Sequence, residues 1–299
     1  MNKPSVEDLF AQGLLQKPKQ SMVSMAGVEL NLIEWGEADK PGLLFIHGGA
    51  AHASWWSFIA PQFLPDFHCI AIDLSGHGDS ARRSIYTPDL WREEVLATVS
   101  ERSIFQSKPV IIGHSMGGLI AARVAAALKD LPGLIIIDSA IRAAANTVKR
   151  RRGHDLLGTR RIYESRQQAQ RRFRLIPPQP CNNEMLLEYI AAESIHKCDA
   201  GWTWKYDPEA FRNLKASSIF HELQKITAPT LIIRGQNSKI LDEKTAKKMQ
   251  SEISGAEEAV VISDSYHHLM LDQPVALIDE IRHVLKRWAE ESPRTSSGN

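Results

Sequence analysis

Cysteine is scarce in this chain, with only Cys69, Cys181 and Cys198 in 299 residues. An odd number without metal-ligand spacing argues against a disulfide framework or a zinc site and reads as reduced thiols. No stretch approaches the roughly 20 consecutive apolar residues that a membrane-crossing helix needs. Residues Met1 to Gln20 carry Glu7, Asp8 and two prolines in place of an apolar run. No ordinary secretory leader is therefore expected, and the expected location is the cytoplasm. A dominant charge of one sign is missing too: a formal net charge of +1 gives no global attraction to nucleic acid or to an anionic membrane. What the chain does have is 43% hydrophobic residues over a length that can bury a large core. That suits one α/β domain carrying an insertion.

Short apolar runs alternate with helical segments, the pattern of a mostly parallel sheet covered by helices on both faces. Val28 to Trp35 reads as an early strand of alternating character. Leu43 to Ile46 ends at His47-Gly48-Gly49, and Cys69 to Ile72 ends at Asp73. Leu134 to Ile137 ends at Asp138, Thr230 to Ile233 at Arg234-Gly235, and Ala259 to Ile262 leads toward His267. Polar and titratable residues thus collect at the carboxyl ends of the predicted strands, the edge of an open α/β sheet where ligands bind.

One more strand, Val110 to Ile112, runs into Gly113-His114-Ser115-Met116-Gly117 and then into a small-residue helix, Gly118 to Leu128. Ser115 is placed at an abrupt strand-to-helix turn, where the flanking glycines lack the side chains that would collide. This arrangement matches a nucleophile elbow.

The alternation breaks between Arg142 and about Glu222, where no convincing buried strand appears. Leu156 to Phe173 and Glu184 to Ile195 have helical composition, and Pro177-Pro178 with Pro180 separates them. The expected organisation is an N-terminal arm over 1–22, a core over 23–141 and 223–290, a helical cap over 142–222, and a flexible tail over 291–299. Between Arg142 and Pro180 there are 11 Lys and Arg against 2 Asp and Glu. A solvated helical face, including Arg150, Arg151 and Arg152, is the first reading of that excess, and attraction of an anionic substrate is the second. With no nucleic-acid-binding module in the sequence, nucleic acid is not an expected partner.

Taken together, His47-Gly48-Gly49, the loop Asp73 to Ser80, the elbow at Ser115, the strand Ala228 to Gly235 and the segment His267 to Pro274 resemble the α/β-hydrolase superfamily of lipases, esterases and C–C hydrolases. They occur in the family's order and span about Val23 to Trp288. The resemblance implies a serine-dependent hydrolase that cleaves an ester, thioester or lactone through an acyl-enzyme. It implies no cofactor and no metal, and its expected partner is a small-molecule acyl substrate. A C–C hydrolase acting on a diketone acid and an inactive binding protein on the same fold are the alternatives.

A serine hydroxyl needs a base beside it to attack a carbonyl at neutral pH. Among 11 histidines, the resemblance favours His267, seven positions before Pro274, with His268 as its rival. It assigns oxyanion donors to the backbone amides of Gly49 and Met116. Many relatives carry the triad acid just after the strand that here ends at Gly235, but this chain reads Gln236-Asn237-Ser238-Lys239. Asp138, at the end of the preceding strand, is the favoured acid, and Asp242 is held in reserve. His47, Gly48, Trp55, Trp202 and Trp204 are the expected substrate-side residues, with Trp56 a further aromatic neighbour. His47 and His114, next to glycine in tight loops, are also read as holding those loops by local hydrogen bonds.

Overall fold

The computed structural model describes residues 4–142, 160–212 and 219–291. Helix α1 (Val6–Leu15) precedes an antiparallel hairpin of β1 (Lys19–Met25) and β2 (Val28–Trp35). β2 then pairs antiparallel with β4 (His68–Ile72), which lies beside β3 (Gly42–Ile46). From there on the pairing is parallel: β3 with β5 (Val110–His114), β5 with β6 (Leu134–Ile137), β6 with β9 (Thr230–Gly235), and β9 with β10 (Val260–Ile262). The order is β1-β2-β4-β3-β5-β6-β9-β10.

Strands β3 to β6 are buried at every position, as continuous Leu/Ile/Val runs require of strands covered on both faces. Alternate residues face two separate cores. Leu43, Phe45 and Ile112 pack with α1 and with α9 (Pro274–Glu291), whereas Leu44, Ile46 and Ile111 pack with α2 (Pro88–Ser100) and α3 (Met116–Ala127). β4 and β5 lie on opposite sides of β3, so the chain reverses its direction of travel across the sheet there. A crevice opens outside the carboxyl ends of β3 and β5, at the residues that follow Ile46 and His114.

The polypeptide between β6 and β9 leaves the sheet. Its described part carries α4 (Arg166–Arg171), α5 (Glu184–Glu193), a hairpin of β7 (Ile195–Cys198) and β8 (Gly201–Trp204), and α6 (Glu209–Arg212). Hydrogen bonds seat it on the sheet's carboxyl edge. The Gly78 amide donates to the Lys205 carbonyl (2.7 Å) and the Asp207 amide to the Gly76 carbonyl (2.7 Å). His52 Nε2 meets the Ser194 hydroxyl (2.9 Å), and the Gln179 side-chain amide donates to the Asp272 carboxylate (2.9 Å). After β9 follow α7 (Glu243–Glu252), β10, α8 (Leu269–Asp272) and α9.

Three expectations change. Residues 4–22 are built into the fold: Ser5 and Asp8 form a reciprocal N-terminal cap on α1, and β1 begins at Lys19. β2 is buried at most positions because Ile33 and Trp35 enter one core and Val28, Leu30 and Leu32 the other, so it does not alternate. The segment over 142–222 is not purely helical. The β7–β8 hairpin is extended by backbone pairing of Tyr163 with Trp202, and within the described part of Leu156 to Phe173 only Arg166–Arg171 is α-helical. Four-residue strands with exposed positions carry too little apolar periodicity to stand out in sequence. Arg150, Arg151 and Arg152 and the tail beyond 291 lie outside the described residues.

The junction of β5 and α3 depends on missing side chains. A Cβ on Gly117 would sit 2.5 Å from the His47 carbonyl oxygen, and one on Gly113 would run into the Gly117 backbone. Gly117→Ala should therefore lower unfolding free energy by about 3 kcal/mol, the upper end of the cost of overpacking, because rigid backbone cannot yield. The shift in urea midpoint at unchanged slope measures it.

Candidate active site

Ser115 links β5 to α3 with φ 53° and ψ −116°, a conformation rare for a residue with a side chain. The surroundings hold it there. The Ser115 amide donates to the Ile137 carbonyl (2.9 Å), and the Ser139 hydroxyl lies 2.7 Å from the Ser115 carbonyl. The turn projects the hydroxyl into a cavity of about 240 Å³ that Ser115 lines together with Gly48, Gly49, Trp55, His267 and His268.

His267 Nε2 is 3.0 Å from Ser115 Oγ, and His267 Nδ1 is 2.7 Å from Asp138 Oδ2. An ionised carboxylate only accepts, so the proton on the imidazole belongs on Nδ1 and Nε2 is left with a lone pair facing the serine hydroxyl. Asp138 is fully buried, with φ 44°. Its second oxygen accepts the Gly235 amide (3.1 Å), and the Ser238 hydroxyl donates to Oδ2 (2.5 Å). The structure thus brings Ser115, His267 and Asp138 into one hydrogen-bonded chain reaching from the cavity to the core.

The reserve acid lies elsewhere. Asp242 is exposed and caps α7, its carboxylate accepting the Thr245 amide (2.8 Å). The Asn237 amide donates to the Ser265 carbonyl (2.9 Å), and its neighbour Ser238 supplies a donor to the carboxylate that arrives from β6. The sequence points to neither Ser238 nor Gln179 as a site residue. The Gln179 carbonyl oxygen accepts the His268 amide (2.9 Å) while its amide binds Asp272, whose carboxylate also accepts the Tyr266 amide (2.7 Å). Together these two residues fix the turn that carries His267.

Several histidines surround the chain of three, and burial holds them neutral. His114 donates from Nε2 to the His267 carbonyl (2.9 Å), and burial lowers its pKa well below the ordinary histidine value. His47 is lowered to about 4 by the same cause. It donates to the Gly48 carbonyl (2.7 Å) and accepts the Leu74 amide (3.1 Å). His47 therefore braces the loop after β3 and is not among the cavity-lining residues, contrary to its expected place on the substrate side. His268 does line the cavity, with its ring centroid 4.8 Å from that of His267, and burial also lowers its pKa well below the ordinary value. One ring nitrogen each from His114, His267 and His268 lie within 4.8 Å of one another. The hydrogen bonds above engage both ring nitrogens of His267, so these three do not converge as free ligands.

The tryptophans divide. Trp55 lines the cavity beside His268, with ring centroids 5.3 Å apart, and Trp204 lines it with Tyr163 and Phe173. Trp202 pairs through its backbone with Tyr163 and is not part of the lining, so its expected substrate contact is not found. Trp56 is core, packed against Phe45. Gly49 lines the cavity, and Met116 opens α3, where its amide has no intrahelical acceptor. The sequence did not mark Arg161, Tyr163, Arg172, Phe173, Arg174 and Tyr206, which also line the cavity.

The loop from Asp73 to Ser80 buttresses this edge through one buried carboxylate. Asp73 accepts the amides of Ala53 (2.6 Å) and Asp79 (2.8 Å) and the side-chain amide of Asn31 (2.8 Å). Burial nevertheless pushes its pKa up to about 6.

A site of this geometry, on a sheet of this order with an excursion over its carboxyl edge, defines a class of protein. The profile of the alpha/beta hydrolase family matches residues 43–280, and the chain belongs to that family. It is an enzyme of the hydrolase class. It is 29% identical to the esterase Rv0045c of Mycobacterium tuberculosis over 265 residues, covering 86% of each chain. It is 27% identical to a putative esterase/lipase of Haemophilus influenzae over 252 residues, 83% of this chain and 84% of the relative. The crystal structure of the mycobacterial esterase superposes with a TM-score of 0.75 at 24% identity over 95% of this chain and all of that one, a likeness of fold. No described helix is long and apolar enough to cross a membrane.

Two outcomes follow from this geometry. Asp242→Ala should remove the α7 cap and cost about 1 kcal/mol of stability, with hydrolytic turnover unchanged, as read by denaturant titration alongside an ester assay. The Asp73 carboxyl has a folded-state pKa of about 6, above its ordinary 3.8. Its stabilising contribution is therefore complete below 3.8 and is lost as pH rises through about 6. Relative to Asp73→Asn, the unsubstituted chain should gain about 2 kcal/mol between about pH 7 and about pH 4, measured as a difference in urea midpoints.

Proposed function

We propose that the protein is a serine carboxylesterase that hydrolyses ester, thioester or lactone carbonyls through an acyl-Ser115 intermediate. The observation that carries the proposal is the chain of contacts from Ser115 Oγ to His267 Nε2 (3.0 Å) and from His267 Nδ1 to Asp138 (2.7 Å) at the wall of the cavity. The esterase names borne by the relatives at 29% and 27% identity support the same reading.

In this scheme Ser115 Oγ attacks the substrate carbonyl as His267 Nε2 takes its proton. The carbonyl π pair moves onto oxygen, and the amides of Gly49 and Met116 donate to it, the latter at the positive end of the α3 dipole. Asp138 stabilises the imidazolium and keeps the ring oriented. When the tetrahedral adduct collapses, the bond to the leaving alcohol or thiol breaks and His267 returns the proton to that group. Water then repeats the sequence on the acyl-serine. All protons and electron pairs in the scheme come from side chains, substrate and water.

The residues between β6 and β9 act as a cap in this proposal, setting which substrate fits while the sheet supplies the chemistry. Trp55, Phe173 and Trp204 supply apolar surface to the acyl or leaving group.

Ser115→Ala should leave the fold intact and abolish hydrolysis of short-chain chromogenic esters, and labelling by a fluorophosphonate should vanish with it. Near-normal turnover by the folded variant would refute the serine mechanism. Asp138→Asn should lower kcat by about 10²- to 10⁴-fold, because the amide presents the wrong partner to His267 Nδ1–H.

A further inference from the structure

The cavity beside Ser115 has a chemical bias that the hydrolytic scheme does not use. Among the described residues its lining includes three arginines, Arg161, Arg172 and Arg174, and no Asp or Glu. All three come from the stretch that holds 11 basic and 2 acidic residues. The three cavity arginines are exposed, whereas the more buried Arg83, Arg123 and Arg287 pair with acids, with Glu94 (2.8 Å), Asp89 (2.8 Å) and Glu257. Among the described residues none of the three cavity arginines forms an ion pair.

Their backbone positions are fixed. Arg161 lies two residues before Tyr163, which pairs with Trp202, and its carbonyl accepts the Thr203 hydroxyl (2.8 Å). Arg172 ends α4, its amide bonded to the Ala169 carbonyl (2.9 Å). The Arg174 guanidinium is itself held, with Nη1 donating to the carbonyls of Phe173 (2.6 Å) and Arg171 (3.0 Å). A guanidinium has five N–H donors in a planar fork, so Arg174 keeps donors to spare. That fork matches the two oxygens of a carboxylate. Trp55, Phe173, Leu175, Ile176 and Trp204 line the same cavity and give it an apolar surface. Its volume of about 240 Å³ is smaller than that of sites for drug-sized ligands, so an acyl chain held there is short.

We propose that the preferred substrate is an ester carrying a second, free carboxylate, the half-ester of a short dicarboxylic acid, whose anionic end is bound by Arg161, Arg172 and Arg174 while its ester carbonyl meets Ser115. The proposal rests on the esterase reading for the second half of that statement only, since the arginine site binds the acid end whether or not hydrolysis follows. It makes these arginines specificity-determining, and it assigns part of the basic excess a role beyond a solvated face.

The test is a binding measurement that does not need turnover. Calorimetric titration of the Ser115→Ala protein should give monomethyl glutarate at least about tenfold tighter binding than the uncharged dimethyl glutarate, with the difference shrinking as salt is raised. Adding Arg161→Gln, Arg172→Gln and Arg174→Gln together should erase that preference, while Arg→Lys at the same three positions should retain part of it. With the active enzyme, the ratio of kcat/KM for the aryl half-ester over that for an aryl ester of matched length should fall at least about tenfold in the triple Gln variant. Equal binding of charged and neutral ligands, or a preference that survives in a folded triple Gln variant, overturns the proposal. Failure of the esterase reading has a separate signature: Ser115 that resists fluorophosphonate and esters that go unhydrolysed, whatever the titration shows.

Discussion

The close approach of α3 to the end of β3 is the constraint on which the rest of this molecule depends. Helix and strand can meet only because Gly117 presents no side chain to the carbonyls of Ile46 and His47, and Gly113 none to the first turn of the helix. That packing forces Ser115 into a left-handed backbone conformation that costs on the order of 1–3 kcal/mol, offset by the burial of the central strands and their helices. The same geometry that strains Ser115 carries its hydroxyl out of the core and into the crevice at the switch point of the sheet.

Around that point the site is assembled from strand ends. β3 contributes Gly48 and Gly49, β5 contributes Ser115, β6 contributes Asp138, and the turn after β10 contributes His267. Parallel register makes this possible, since β5, β6 and β9 end on the same edge and their following residues fall side by side. Asp138 reaches His267 from β6 because β6 lies between β5 and β9, and the Gly235 amide and Ser238 hydroxyl at the end of β9 accompany its carboxylate. The Asp138 carboxylate is therefore supported by the end of the neighbouring strand.

The excursion between β6 and β9 adds a second layer of control. Gln179 grips Asp272 and the His268 amide, Ser194 bonds His52, and Lys205 and Asp207 pair with the glycines of the Asp73 loop. These contacts tie the walls of the cavity to the turn that carries His267, so the shape of the cavity and the placement of that imidazole share one set of hydrogen bonds. The arginines at the cavity belong to this layer, whereas Ser115 and Asp138 belong to the sheet.

The sequence by itself determined the α/β architecture and the order of its parts, because buried parallel strands must be continuous apolar runs and a strand-to-helix elbow must be flanked by glycine. It also pointed to Ser115, His267 and Asp138, each next to a strong strand or turn signal, and the absence of an acid after Gly235 directed attention to Asp138. It favoured Asp138 over Asp242 as the acid. In the tertiary structure the Asp138 carboxylate lies against His267 and the Asp242 carboxylate on a helix end. It could not see the β7–β8 hairpin, the packing of residues 4–22 as α1 and the start of β1, or the withdrawal of His47 and Trp202 from the cavity. Those outcomes depend on contacts between segments far apart in the chain, with little local periodicity to announce them. Ser238 and Gln179 were invisible for the same reason, and of the basic excess the sequence could not say which arginines face the cavity: a hydroxyl, an amide or a guanidinium gains its neighbours only from what the fold places opposite it.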